Sequence, residues 1–593
     1  MKNEFIKIFI LISISFPNMA SGQSLEYIMD MVYNNPGEKP ISTKYNNPAF
    51  MKSQGFKGMV THWYINCAIT YDNLHEDLIP SGSEDRTWIE NRAEFIQAKI
   101  DSCEKYNMKV YPFTDFVVFP RLVWDQYGDE IKSEGELHNL GGDASQAIKP
   151  NIQNKTTQML VIAQIDGIFK RFPKLDGLTL RFGETYLHDT PFHSGGSPIR
   201  SGEEGIEDHI ALLNILREEI CVKRNKQLFY RTWDFGFNFH TNPDYYLAVT
   251  NAIEPHPNLV FSIKYQQGDF HRMTPFNPCI GIGKHQQIIE SQSRMEAYGK
   301  GAHPYYTGAG VINGWPETRY EISENRFTGN LNPDDNPRGL KDLLNNDLLA
   351  GVWTWSNGGG WKGPYIKHEL WTDLNTYVLS QWARDIGRSE EEIFYEFALK
   401  LGLNGYQADL FRQLNMLTIE GVRKGHCNSF ASNDVWWTRD HYFSARKNKA
   451  IVQEIITKDI VNQVLAEKAE STHIWRQIEE LSKQIKVNNK ETQEALEVSC
   501  SYGRIKYALI EQMWIMMIYD QLDIVKNQQI ILEESLKKYD KLWKEWEELY
   551  HSSPLCATIY TDKYLWDTRE GSIGEFVDNN IRTRFNSIRI IGH

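Results

Sequence analysis

Cysteine is scarce and scattered in this chain. The seven cysteines (Cys67, Cys103, Cys221, Cys279, Cys427, Cys500 and Cys556) are odd in number and form no CxxC pair. That spacing speaks against a zinc knuckle or a dense disulfide framework and predicts buried thiols that act as small hydrophobes. Basic charge is also short: 64 Lys and Arg face 77 Asp and Glu, for a net charge of −13, with no long basic run. A nucleic-acid or anionic-membrane partner is therefore not expected. No stretch of the mature chain reaches the ~20 consecutive apolar residues of a membrane-spanning helix.

The apolar run Ile8 to Phe16 has nine residues, follows the basic start Met1 to Lys7, and precedes the small residues Ala20, Ser21 and Gly22 and the polar Gln23. Residues 1–22 thus read as a cleaved secretory signal, which predicts an exported, periplasmic or extracellular protein. No cysteine sits at the cleavage point to carry a lipid.

What remains is an ordinary globular composition, 41% hydrophobic, 24% charged and 12% aromatic, with ample material for a large core. From Gly55 to about Asn357, short β-rich runs alternate with helical stretches. Eight strands are predicted: Lys57 to His62, Lys109 to Phe113, Gly177 to Phe182, Leu228 to Trp233, Leu259 to Lys264, Gln287 to Ser293, Pro304 to Val311 and Ala350 to Trp355. Trp88 to Tyr106, Thr156 to Phe172 and Glu203 to Val222 are predicted helices between them. Eight such units predict an α/β fold, a (β/α)8 TIM barrel over residues 23–375. The Gly- and Asp-rich linker around Asp125 to Lys149 is long enough to fold over the barrel mouth.

After about Leu370 the strand signal stops, and residues 376–593 predict a mainly helical C-terminal domain. Ser389 with Glu392 makes a capping box, Val452, Ile456, Ile460 and Val464 form one apolar stripe, and long helices are predicted over 447–487, 491–525 and 528–550. Their apolar faces suit packing against the barrel or against each other; a homodimer surface is the alternative.

In such barrels the chemistry sits at the C-terminal ends of the strands. Those ends carry Arg181 and Glu184, Arg231, Trp233 and Asp234, Lys264 and Asp269, then Arg294 and Glu296. Charges converging on one mouth are costly unless something binds there, although ion pairs also brace barrel rims. A glycosidase needs one carboxylic acid to protonate the leaving oxygen and a second carboxylate to activate water or attack carbon. Aromatic residues at strand ends, Trp63, Trp233, Tyr305, Tyr306, Trp353, Trp355 and Trp361, offer flat faces for sugar rings. Arg and Lys suit an acidic sugar better than a neutral one. His188, His193 and His240 do not have the spacing of a metal motif, so no metal and no cofactor are expected.

The stretch Phe261 to Gly301, FSIKYQQGDFHRMTPFNPCIGIGKHQQIIESQSRMEAYGKG, resembles the α-glucuronidases of glycoside hydrolase family 67. It has a strand bearing Lys, a Gly-x-Asp-Phe turn, a Pro-containing connection, and a Glu-x-Gln-x-x-x-Glu segment. The resemblance implies that Asp269 and Glu296 activate water, that Lys264 and Arg231 bind the uronate, and that Glu184 is the general acid; Arg181 transfers less cleanly onto a family lysine. It spans roughly residues 55–590, without the family's N-terminal β-rich domain. The implied activity is inverting release of an α-linked uronic acid of the glucuronic type from plant or algal polysaccharide fragments. A carbohydrate-binding protein without turnover on the same barrel, or a uronide lyase, are the other readings of the same residues.

Overall fold

The computed structural model describes residues 22–33, 42–133, 149–182, 185, 187, 189–234, 238–268, 270, 272, 274, 276–292, 303–315, 339–344, 347–358, 366–433, 445–522, 526–557 and 573–585. Its strands are β1 Tyr27–Tyr33, β2 Gly58–His62, β3 Lys109–Asp115, β4 Val118–Pro120, β5 Gly177–Arg181, β6 His193–Gly195, β7 Gln227–Arg231, β8 Leu259–Lys264, β9 Gln287–Gln292 and β10 Leu349–Gly358. Eight of them close a parallel barrel in the order β1-β10-β9-β8-β7-β5-β3-β2, and β4 pairs antiparallel with β6 outside it. The architecture is a (β/α)8 barrel followed by a helical region.

The strand prediction needs two corrections, one strand missed and one wrongly assigned. The first barrel strand, Tyr27–Tyr33, escapes the sequence reading, because Asp30 interrupts its apolar run. That carboxylate is fully buried and accepts from the Ser356 backbone N–H at 3.0 Å, the Ser356 hydroxyl at 2.5 Å and the Thr354 hydroxyl. Burial pushes its pKa from 3.8 up to about 7, against these hydrogen bonds. Conversely, Pro304 to Val311 is no strand: its end enters the short helix Gly308–Asn313. The N–H groups of Tyr306 and Thr307 donate to the Thr418 hydroxyl at 3.0 Å and to Asn375 Oδ1 at 2.8 Å, side chains of the helical region, in place of a ladder.

The helices of the barrel are α1 Pro48–Ser53, α2 Glu84–Lys105, α3 Arg121–Ile131, α4 Lys155–Arg171, α5 Glu204–Leu216, α6 Pro243–Thr250 and α7 Gly308–Asn313. In α2 the buried residues Ile89, Ala93, Ile96, Ile100 and Cys103 recur at steps of four and three, the stripe that packs on the barrel wall. Asn154 and Asn242 start α4 and α6 by accepting N–H bonds of their first turns. Between β8 and β9 no helix occurs among the described residues. Helix α3 takes up the first part of the predicted mouth linker; 134–148 lie outside the described residues.

The helical region comprises α8 Leu370–Arg384, α9 Glu390–Lys400, α10 Tyr406–His426, α11 Ala445–Thr457, α12 Val461–Gln484, α13 Lys490–Gln521 and α14 Lys526–Ser552. The Ser389 capping box is present. The single helix predicted over 447–487 is instead two, α11 and α12. Asp459 adopts a left-handed backbone (φ 56°), Ile460 N–H reaches the Ile455 carbonyl at 3.1 Å and Asp459 N–H the Ile456 carbonyl at 3.1 Å, a Schellman stop that breaks the apolar stripe. Trp475 and Tyr507 stack at 4.5 Å in the core of this region. All seven cysteines are buried and unbridged, as the composition predicts. No helix among the described residues is long and apolar enough to cross a membrane.

Candidate active site

Side chains alternate along each strand, so residues two apart share the barrel interior. Near the N-terminal ends that interior is apolar: Tyr27, Met29, Tyr111, Phe229, Val260 and Ile288 belong to one buried cluster. One step further along the same faces it turns ionic. Phe113 is followed by Asp115, Phe229 by Arg231, and Ile288 by Glu290, while Ser262 precedes Lys264. The upper layer of the barrel, toward the strand C-termini, therefore carries the charge.

Strand register sets the pairing. Asp115 lies beside Arg181; Arg181 binds it with Nε and, at 2.8 Å, Nη2, and the Tyr64 hydroxyl donates to the same carboxylate at 3.2 Å. On the other side Arg231 meets Glu290 with two bonds of 2.7 Å each, Nε to Oε1 and Nη2 to Oε2, and the Ser262 hydroxyl donates to Oε1 at 2.9 Å. Both pairs are almost wholly shielded from solvent. A charge buried this deeply is tolerable only with a partner of this quality.

Aromatic rings fill the space between the cations. Phe113 lies 5.0 Å from the Arg181 guanidinium and 4.9 Å from that of Arg231. Arg231 is also 5.5 Å from Trp353 and 5.7 Å from Trp355. Lys264 Nζ stands 3.6 Å from the Trp233 ring centroid and 5.6 Å from Trp355, within cation–π range. Burial, with Arg181, Arg92 and Arg231 nearby, holds the His62 pKa well below its ordinary value, so this imidazole is neutral. A pocket of about 160 Å³ opens beside this layer and shares Arg231 and Trp233 with it.

The six predicted substrate-binding residues, Arg181, Arg231, Trp233, Lys264, Trp353 and Trp355, thus meet in one volume at the C-terminal end of the barrel. Trp353 is fully buried and Trp355 nearly so, which sets both beneath the mouth rather than on its rim. The three predicted catalytic carboxylates, Glu184, Asp269 and Glu296, lie outside the described residues, as do Arg294, His188 and Trp361. Glu184 follows β5 by three positions and Asp269 follows β8 by five. His193 packs against Trp88, and His240 is held by Thr232 and Asn277 inside the wall, with its ring 5.0 Å from that of Trp233. Tyr306, offered above as a sugar platform, is likewise buried, against Glu390 and Phe394.

Sequence reasoning missed Asp115, Glu290 and Ser262. The signal was present, a carboxylate following apolar strand residues in FTD and IIE, but its partner lies 66 or 59 residues away. Among the described residues no group of three His, Cys, Asp or Glu could hold a metal ion.

No family model matches the chain, and no curated protein matches it in sequence. Its fold is similar to solved structures. A GH138 enzyme targeting pectin rhamnogalacturonan II superposes with a TM-score of 0.51 at 11% identity, over 95% of this chain and 68% of that one. A mutant of the O-GlcNAc hydrolase of Thermobaculum terrenum gives 0.39 at 10% identity over 94% of both chains. CpGH84B gives 0.39 at 10% identity over 94% of this chain and 77% of its own. At such identities the likeness concerns the fold, and the first of these structures shares the barrel and helical region described above.

Proposed function

We propose that this chain is a glycoside hydrolase that releases an α-linked uronic acid from polysaccharide fragments, with inversion at the anomeric carbon. The observation that carries the reading is the convergence of Arg181, Arg231 and Lys264 with Trp233, Trp353 and Trp355 in the upper barrel layer. A sugar acid needs a cationic environment for its carboxylate and flat faces for its ring, and this layer offers both. The similarity in fold to an enzyme targeting rhamnogalacturonan II, a polymer with a uronic acid in its name, supports the same substrate class.

In the mechanism Glu184 protonates the departing glycosidic oxygen, and Asp269 or Glu296 removes a proton from the attacking water. An inverting pair stands ~6.5–9.5 Å apart to admit that water. Arg231 is held by Glu290, itself held by the Ser262 hydroxyl, so its guanidinium is set in place by the protein, and this lowers the ordering cost of binding. The resemblance to family 67 α-glucuronidases supports these roles, and the leading segment supports export.

The test is a panel of uronide-bearing oligosaccharides with the released sugar followed by NMR: the first-formed anomer is expected to be opposite to that of the linkage. Retention, or an unsaturated ultraviolet-absorbing product, would overturn the reading in favour of a retaining enzyme or a lyase. Glu184→Gln is expected to lower kcat on substrates with poor leaving groups ~100-fold or more, within the usual range for a general acid, and to spare activated aryl uronides. Equal losses on both would remove Glu184 from that role.

A further inference from the structure

The pocket beside the cation layer has a chemistry of its own. It lies outside the ends of β5 and β7, under the starts of α5 and α6, and its walls include Phe182, Ile199, His209, Trp233 and Tyr245. Arg231 and Trp233 form the boundary with the barrel mouth, so a molecule in the pocket would touch one held over the upper layer. Its volume of about 160 Å³ suits one sugar ring.

Charged groups at this pocket are already engaged. Arg200 gives Nε and Nη2 to Asp208, both at 2.9 Å, and Nη1 lies 3.2 Å from Glu204. Arg231, on the boundary with the mouth, gives Nε and Nη2 to Glu290, which leaves Nη1 out of that pair. The Asp234 carboxylate accepts the N–H groups of Asn238 at 2.8 Å and Phe239 at 2.7 Å. His209 is uncharged, since burial pushes its pKa down to about 3, and its Nδ1 bonds the Tyr230 hydroxyl at 2.6 Å, so that Nε2 is the ring nitrogen left for the pocket. Away from the boundary that Arg231 shares with the mouth, an anion would meet only Arg200 among the lining cations, and that guanidinium is already held by two carboxylates. A neutral ring with hydroxyls would find an apolar wall in Phe182, Ile199 and Trp233 and polar atoms in His209 and Tyr245.

We propose that this pocket is a second sugar subsite, which seats the neutral residue from which the uronic acid is cleaved. The proposal rests on the uronidase reading for its direction, and on the pocket alone for its neutrality and size. Two readouts separate the two ideas.

The first is binding: ligand-observed NMR with the methyl glycosides of xylose, rhamnose and galactose, and separately with glucuronic and galacturonic acids. Wild-type protein is expected to transfer saturation to at least one neutral glycoside, and Ser201→Trp, which puts a large ring at the pocket edge, is expected to abolish it while leaving signals from the acids. Tyr245→Phe, which keeps the packing of the ring, is expected to weaken the neutral glycoside about 5-fold and serves if the tryptophan variant fails to fold.

The second is turnover: Ser201→Trp is expected to lower kcat/KM on a uronyl disaccharide at least 10-fold more than on an aryl uronide. If no neutral glycoside binds, or if Ser201→Trp displaces the acid instead, the proposal is overturned. It is equally overturned if a uronyl disaccharide is turned over and Ser201→Trp lowers both substrates alike. Neutral-glycoside binding that is lost in Ser201→Trp, from a protein without activity on any uronide, would uphold the subsite and overturn the uronidase reading.

Discussion

Two buried guanidinium–carboxylate pairs invite comparison, one at the barrel mouth and one where the barrel meets the helical region. Arg231 on β7 and Glu290 on β9 meet over the intervening strand β8, which contributes Ser262. Arg412 and Glu390 meet from two helices, with bonds of 2.5 and 2.9 Å, and Glu390 also accepts from the Tyr306 hydroxyl and, at 3.4 Å, from Asn313. As ion pairs they are nearly identical. Their surroundings differ: Arg412 is covered by Tyr306 and Phe394, whereas Arg231 lines an open pocket and stands in one layer with Arg181 and Lys264. A buried pair on its own is thus no sign of function. A pair beside a second cation, aromatic rings and a cavity is.

The comparison breaks first at Glu290. Glu290→Gln leaves the Arg231 guanidinium buried without its counter-charge, and a loss of about 3–5 kcal/mol in urea unfolding is expected, together with loss of uronide turnover. A loss under about 1 kcal/mol, the scale of an exposed pair, would mean that the pair is not buried in solution.

Asp30 sharpens the contrast, because it is a buried carboxylate with hydroxyl partners and no cation among them. Its folded pKa is raised from 3.8 to about 7, so the unfolded chain loses this proton first as pH rises. Stability is therefore expected to fall between about pH 4 and 7 and to level off above that, by on the order of 4 kcal/mol for this group. Asp30→Asn should flatten that part of the profile in denaturation series at fixed pH.

At the junction, Glu390→Gln strands a guanidinium that is 15% exposed, so a smaller loss of about 1–3 kcal/mol is expected, with kcat/KM on uronides unchanged. Tyr306→Phe removes one hydrogen bond to Glu390 and should cost about 1 kcal/mol. An activity loss in either variant would show that the junction acts on the mouth.

The barrel and its charged mouth were legible because Arg181, Arg231 and Lys264 stand at the ends of apolar strands, where a charge has no reason to be unless the chain's interior turns polar there. What remained hidden was non-local. The partners become visible only in the closed barrel, where register sets Asp115 beside Arg181 and Glu290 reaches Arg231 past the intervening β8. β1 was obscured by Asp30, whose burial depends on Thr354 and Ser356 at the far end of the barrel sequence. Pro304 to Val311 has the aromatic and β-branched residues of a strand, yet its N–H groups are claimed by side chains more than sixty positions on. The stop at Asp459 turns on one positive φ inside an otherwise helical pattern.

Those borrowed N–H bonds also govern how the molecule can be divided. The segment that links β9 to β10 takes its hydrogen bonds from Asn375 in α8 and Thr418 in α10, and Gly310, where any side chain would run into the Trp315 ring, packs it tightly. A chain ended before Asn375 would hold every barrel strand and still deprive this stretch of the native partners of its amides. The barrel's last third and the helices that follow it are in that sense one unit rather than two pieces joined end to end.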